Sequence, residues 1–162
     1  MHIVEAPATA AAPYDDEDPE ILDAIELLGG RQVFARRFAT LLDVHQEIAN
    51  GFPAAALIAL RMRLPSLQRD QDLRRLFELS AGTLKRKATL KSRLTVHQSD
   101  VAWRLAVMLR QARKVVGAGA ADWLARPAFG VGWRRPIEFA STSAGAEMIN
   151  TYLVQLEHGV YA

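Results

Sequence analysis

The chain has 162 residues, a formal net charge of +2 and hydrophobic residues at half of its positions, enough to bury one real core with a small appended unit. It contains no cysteine, which excludes disulfides, thiolate metal sites and thiol nucleophiles and fits a cytoplasmic protein. No cationic stretch leads into an apolar core at the N-terminus, and no apolar run approaches the roughly 20 residues of a membrane helix, so neither a secretory signal nor a membrane partner is expected.

The charge is polarised along the chain. Residues 1–26 carry eight acids and no Lys or Arg, whereas residues 61–114 carry fourteen Lys and Arg against four acids, a local balance of +10. That is the footprint of a module that binds a polyanion, although a solvated basic face would produce it equally well.

Residues 1–18, rich in Ala, Pro and acid, read as a disordered acidic arm. Pro19 suits a first helical turn with Asp18 as N-cap, and Ile21, Leu22, Ile25 and Leu28 recur at helical spacing up to Gly29-Gly30. Val33, Phe34, Phe38, Leu41, Leu42 and Val44 predict a second helix ending near Asn50-Gly51. Pro53 opens a third, with Leu57, Ile58 and Leu60, before the break at Leu64-Pro65. Asp70 to Phe77 makes a short helix whose Leu73, Leu76 and Phe77 face inward.

The stretch Leu79-Ser80-Ala81-Gly82-Thr83-Leu84-Lys85-Arg86-Lys87 follows. Ser80 is a good N-cap, and Leu84 is the apolar anchor of a helix whose cations point outward. Two short helices joined by a tight turn form the helix-turn-helix pattern, in which the second helix reads the major groove. The candidate DNA contacts are Thr83, Lys85, Arg86 and Lys87, with Lys91 and Arg93 beyond. An ordinary basic surface helix is the competing interpretation.

Thr95 and Gln98 form a capping-box pair at the head of a long helix. Val101, Leu105, Met108, Ala112 and Val115 make a narrow apolar seam on it, either a core face or partly a dimer seam with a second copy. Gly117-Ala118-Gly119 ends that helix. Ala120 to Arg126 gives a short helix cut by Pro127, and residues 130–136 a loop. Pro136 opens another short helix, and Ser143 is expected to cap a last one, with Ile149, Tyr152, Leu153 and Leu156 inside. Gly159 is its C′ residue, and Val160, Tyr161 and Ala162 project beyond.

No motif supports catalysis. His2, His45, His97 and His158 are scattered without metal-ligand spacing, and no nucleophile elbow, phosphate loop or zincin helix occurs, so no cofactor or metal is expected.

Taken together, Gly51-Phe52-Pro53, residues 79–87, Leu94-Thr95, Asp100, Asp122-Trp123-Leu124, Arg134-Arg135-Pro136-Ile137-Glu138, Thr142, Gly145 and Glu157-His158-Gly159-Val160-Tyr161-Ala162 resemble the Xre/MbcA/ParS-type antitoxins. The resemblance spans residues 51–162, and its C-terminal part is the more specific. It implies an all-α fold, an Xre-like helix-turn-helix bundle over residues 19–117 followed by a small helical toxin-binding domain over 118–162. It departs from the family near Ala128 (Asn), at Trp133 (a second Gly), and at Phe139 and Ala140 (aliphatic residues).

The same resemblance implies a non-enzymatic antitoxin that neutralises a cognate RES-domain, NAD-depleting toxin by binding near its active site. Trp133, Arg134, Arg135, Glu157, His158, Val160, Tyr161 and Ala162 would be the toxin contacts. A homodimer would bind operator DNA in its own promoter and repress transcription. A stand-alone helix-turn-helix regulator, and an antitoxin that does not bind DNA, are the competing expectations.

Overall fold

The computed structural model describes residues 17–160, and its regular elements are helices without a strand. They are α1 (Pro19–Leu27), α2 (Leu41–Asn50), α3 (Ala54–Arg63), α4 (Asp70–Phe77), α5 (Ala81–Thr89), α6 (Val96–Val116), α7 (Ala120–Ala125) and α8 (Ser143–Glu157), with short 3₁₀ turns between several of them. The all-α expectation holds. Residues 1–16 of the acidic arm, and Tyr161 and Ala162, lie outside the described residues.

Local chemistry places most of the helix ends. Asp18 accepts from the Glu20 amide at 2.9 Å and opens α1. Thr95 and Gln98 cap α6 reciprocally, at 3.0 and 3.1 Å. Two boundaries differ from the sequence expectation. The apolar residues at 33–38 are not helical, because α2 starts only at Leu41, where Thr40 and Asp43 form a capping box. Asp43 accepts from the Ala39 and Thr40 amides, which hold its carboxyl below the usual range. Leu41 and Leu42 therefore sit in the first turn and face solvent, while Phe34 and Phe38 enter the core from a loop. Thr142, not Ser143, caps α8: its hydroxyl accepts from the Gly145 amide at 3.0 Å.

The axis of the molecule is α6, which packs against α1, α2, α3, α4, α7 and α8. Val101, Leu105, Met108 and Ala112 are fully buried by the chain's own helices. These four seam residues are core, while the fifth, Val115, is half-buried near the end of α6. A fully buried leucine of this kind contributes roughly 1.5–3 kcal/mol relative to exposure. The buried apolar residues form one continuous cluster from Ile21 to Leu153, passing across the expected boundary after residue 117. Ion pairs cross the same boundary: Arg75 with Glu138 at 2.8 Å and Lys114 with Glu157 at 3.1 Å.

Candidate functional site

The helix pair α4–α5 is joined by Glu78, Leu79 and Ser80. Glu78 takes a left-handed conformation (φ 52°), which reverses the chain in three residues. Leu79 and Leu84 are buried, and Ser80 caps α5 by accepting from the Thr83 amide at 3.1 Å. Its hydroxyl also donates to Thr83 Oγ1 at 2.9 Å. Asp70, at the head of α4, accepts from the Ala81 amide at 2.9 Å and pairs with Arg74. Those two contacts, the amide first, depress its carboxyl pKa. One N-terminal amide of α5 is thus already occupied by a carboxylate.

Burial of Leu84 turns the opposite face of α5 outward. Lys85, Arg86 and Lys91 are exposed and have no acidic partner among the described residues. Lys87 donates to the Arg93 carbonyl at 3.3 Å. Arg93 is committed to the fold, pairing with Glu47 at 2.8 Å and donating to the Gly51 carbonyl. Elsewhere in the basic third, Arg74, Arg75, Arg104, Arg110 and Lys114 are all ion-paired. Pairing therefore leaves Lys85, Arg86, Lys87 and Lys91, among the described residues, as a run of cations without an acidic partner on α5 and its C-terminal turn; Arg61, Arg63, Arg69 and Arg113 also lack one, Arg61 and Arg63 donating to the Leu67 and Ala59 carbonyls.

The C-terminal end has different chemistry. Ala128 donates to the Arg134 carbonyl at 3.0 Å and Trp133 to the Ala128 carbonyl at 2.9 Å, pinching residues 128–134 into a tight loop. Gly132 and Trp133 both have positive φ, 66° and 61°. Phe129 and Trp133 stand out from this loop, 78% and 67% exposed, edge to face with centroids 5.6 Å apart. The Arg134 guanidinium lies 4.8 Å from the Phe139 ring centroid. Sequence reasoning singled out Trp133 and missed Phe129; an aromatic four residues before a tryptophan, across Gly130-Val131-Gly132, was the available signal.

Arg135 turns inward. It forks onto Asp72 at 3.0 and 2.6 Å and reaches Glu138, and its side chain is only 21% exposed. The fork holds the Asp72 carboxyl below its usual range and raises the guanidinium further. Glu157 is held by Lys114, whose ammonium lowers its pKa, and by Gln111. His158 is the C-cap of α8. Gly159 follows at φ 71°, its amide donating to Leu156 and that of Val160 to Gln155. This is a complete Schellman motif, and Val160, its last residue, is exposed.

A groove of about 820 Å³ separates α6 from α8. Three of its carboxylates, Asp100, Glu20 and Glu157, are paired in turn with Arg104, Arg110 and Lys114, and Glu147 and His158 also line it. Among the described residues no group of His, Asp and Glu could hold a metal ion, and no helix is long and apolar enough to cross a membrane.

Residues 111–159 match the family model described as the antitoxin Xre/MbcA/ParS C-terminal toxin-binding domain. A protein of Pseudomonas putida KT2440 named Antitoxin Xre is 30% identical over 125 residues, covering 75% of each chain.

Proposed function

This chain belongs to the Xre/MbcA/ParS family of antitoxins, and on that footing we propose that it neutralises a cognate RES-domain toxin, an NAD-consuming enzyme, by direct binding through its C-terminal end. The observation that carries this reading is the geometry at the end of α8. Gly159 closes a Schellman motif there and leaves Val160 65% exposed, so the last described turn of α8 presents an apolar side chain to solvent.

Tyr161 would supply aromatic contact area at low entropic cost. Trp133, Arg134, His158 and Val160 make up the remaining exposed toxin-facing set. Arg135 and Glu157 act one step back, positioning the loop and the last helical turn.

The second element of the proposal is autorepression. Lys85, Arg86, Lys87 and Lys91, with Thr83 near the N-terminus of α5, form a recognition face with unneutralised charge, suited to phosphates and guanine edges. Arg93 supports that face by tying its trailing turn to Glu47. A dimer of the chain, or of its toxin complex, would place two such helices on an inverted repeat about one helical turn apart. The family role is regulatory binding, not catalysis, and its setting is the cytoplasm.

Co-expression tests the proposal. Cells producing the RES-domain protein encoded beside this chain should stop growing, and the chain should restore growth. Growth arrest that persists at excess antitoxin would refute neutralisation, whatever the outcome for DNA binding.

A further inference from the structure

We infer that Phe129 and Trp133 act together as one aromatic anchor that enters an apolar pocket of the toxin and selects which toxin this chain binds; the inference rests on the antitoxin reading. Trp133 has φ 61°, a conformation in which a bulky L-residue is an outlier and a glycine is unstrained. Its side chain recovers nothing from the core, being 67% exposed. The ring it meets, Phe129, is itself 78% exposed. Two large apolar surfaces are thus kept in water at a backbone position that disfavours one of them. Strain of this kind is retained where the surroundings and a function require it.

The pair is also held ready. The Ala128–Arg134 bridge closes the loop, and Arg134 is fixed over Phe139. Gly130 lies directly against the Tyr152 ring, where an added Cβ would come within 2.3 Å of a ring carbon. Tyr152 in turn stacks on Trp123, with centroids 6.2 Å apart. An anchor whose rings and backbone are already ordered loses little entropy on docking. Each aromatic buries about 150–250 Å² when covered, which is the character of an interface hot spot, and Arg126 and Arg134 supply a polar rim.

Position identifies the occupant. The loop lies within residues 111–159, the span matching a toxin-binding domain. His158 follows Tyr152 by six residues, or about 9 Å along α8. One partner surface therefore reaches both the loop and the exposed last turn at His158 and Val160. The pocket it offers must be apolar and wide enough for an indole.

The test measures binding of the full chain to the purified toxin encoded beside it, with thermal unfolding of the free chain in parallel. W133G should weaken binding by about 30-fold or more without lowering the melting midpoint, because it relieves the left-handed strain. W133F should stay within a few-fold of the unsubstituted chain, and F129A should lose about tenfold. Undiminished binding by W133G overturns the anchor while leaving the antitoxin reading intact. So does a W133G chain whose lost binding tracks a midpoint lowered by several degrees, which would make the ring part of the fold. Dissociation of a dimer by W133G, with toxin affinity unchanged, reassigns the patch to a second copy. If the unsubstituted chain does not bind the toxin, the antitoxin reading falls and the anchor with it.

Discussion

Arg135 forks onto Asp72 across 63 residues of sequence, its terminal nitrogens 3.0 and 2.6 Å from the carboxylate oxygens. Arg75 answers from α4 by pairing with Glu138 at 2.8 Å. Helix α4 is thereby fastened to the segment that leads into α8. Asp72 is 7% exposed at its side chain, so the pair is shielded and hydrogen-bonded on both carboxylate oxygens.

Replacing Arg135 with Ala leaves that carboxylate shielded and without its fork, at a cost of about 2–3 kcal/mol. R135K should recover only part, because an ammonium cannot bond both oxygens in a fixed plane. Urea denaturation of the three proteins checks this; equal midpoints for R135A and the unsubstituted chain would contradict it.

The same pair sets a pH dependence. The Arg135 hydrogen bond lowers the folded-state pKa of Asp72 from its ordinary 3.8, so its contribution is complete above that value and is lost as pH falls through the lower, folded one. Asp43 and Asp70 are shifted in the same direction, mainly by backbone amides. The melting midpoint should change little for these groups between pH 7 and about 5, then fall below about pH 4. D72N should melt lower at neutral pH and show a shallower acid limb.

Lys85→Ala with Arg86→Ala should weaken promoter binding and reduce the slope of log K against log salt by about 2, since roughly one counterion per removed phosphate contact is no longer released. Toxin affinity should not change. Gel shifts over a salt series measure both quantities, and an unaltered slope would remove α5 from the DNA interface.

Much of this architecture was legible because it is local. Ser80, the Thr95–Gln98 box and the Gly159 terminus each act over a few residues, and Leu84 was recognisable as the apolar side chain among cations. The second helix ends at Asn50 as expected but starts at Leu41 and not near Val33, because apolar spacing was read without the competing cap at Thr40 and Asp43. That cap leaves Leu41 and Leu42 in solvent. Nothing in the local sequence indicates that Arg135 will find Asp72, or that Arg93 will find Glu47, since both depend on tertiary proximity. The glycine that the family carries where Trp133 stands acquires its reason from the left-handed φ there.

Gly159→Ala forces a Cβ into the left-handed C′ position and should cost about 1 kcal/mol. The loss falls on the last turn of α8 and on the direction of the tail. Neutralisation should therefore weaken more than global stability does. Amide exchange at Leu156 to Val160, read beside toxin affinity, would show whether the two effects travel together.

The most direct measurement is a titration of the purified chain into the RES-domain toxin proposed as its partner, scored by NAD consumption, alongside a chain lacking Tyr161 and Ala162. The full chain should stop NAD loss at a stoichiometric ratio, and the shortened chain should remain folded but leave much of the activity. NAD consumption that continues at saturating full-length chain would contradict neutralisation, and equal inhibition by both chains would contradict the role of the tail.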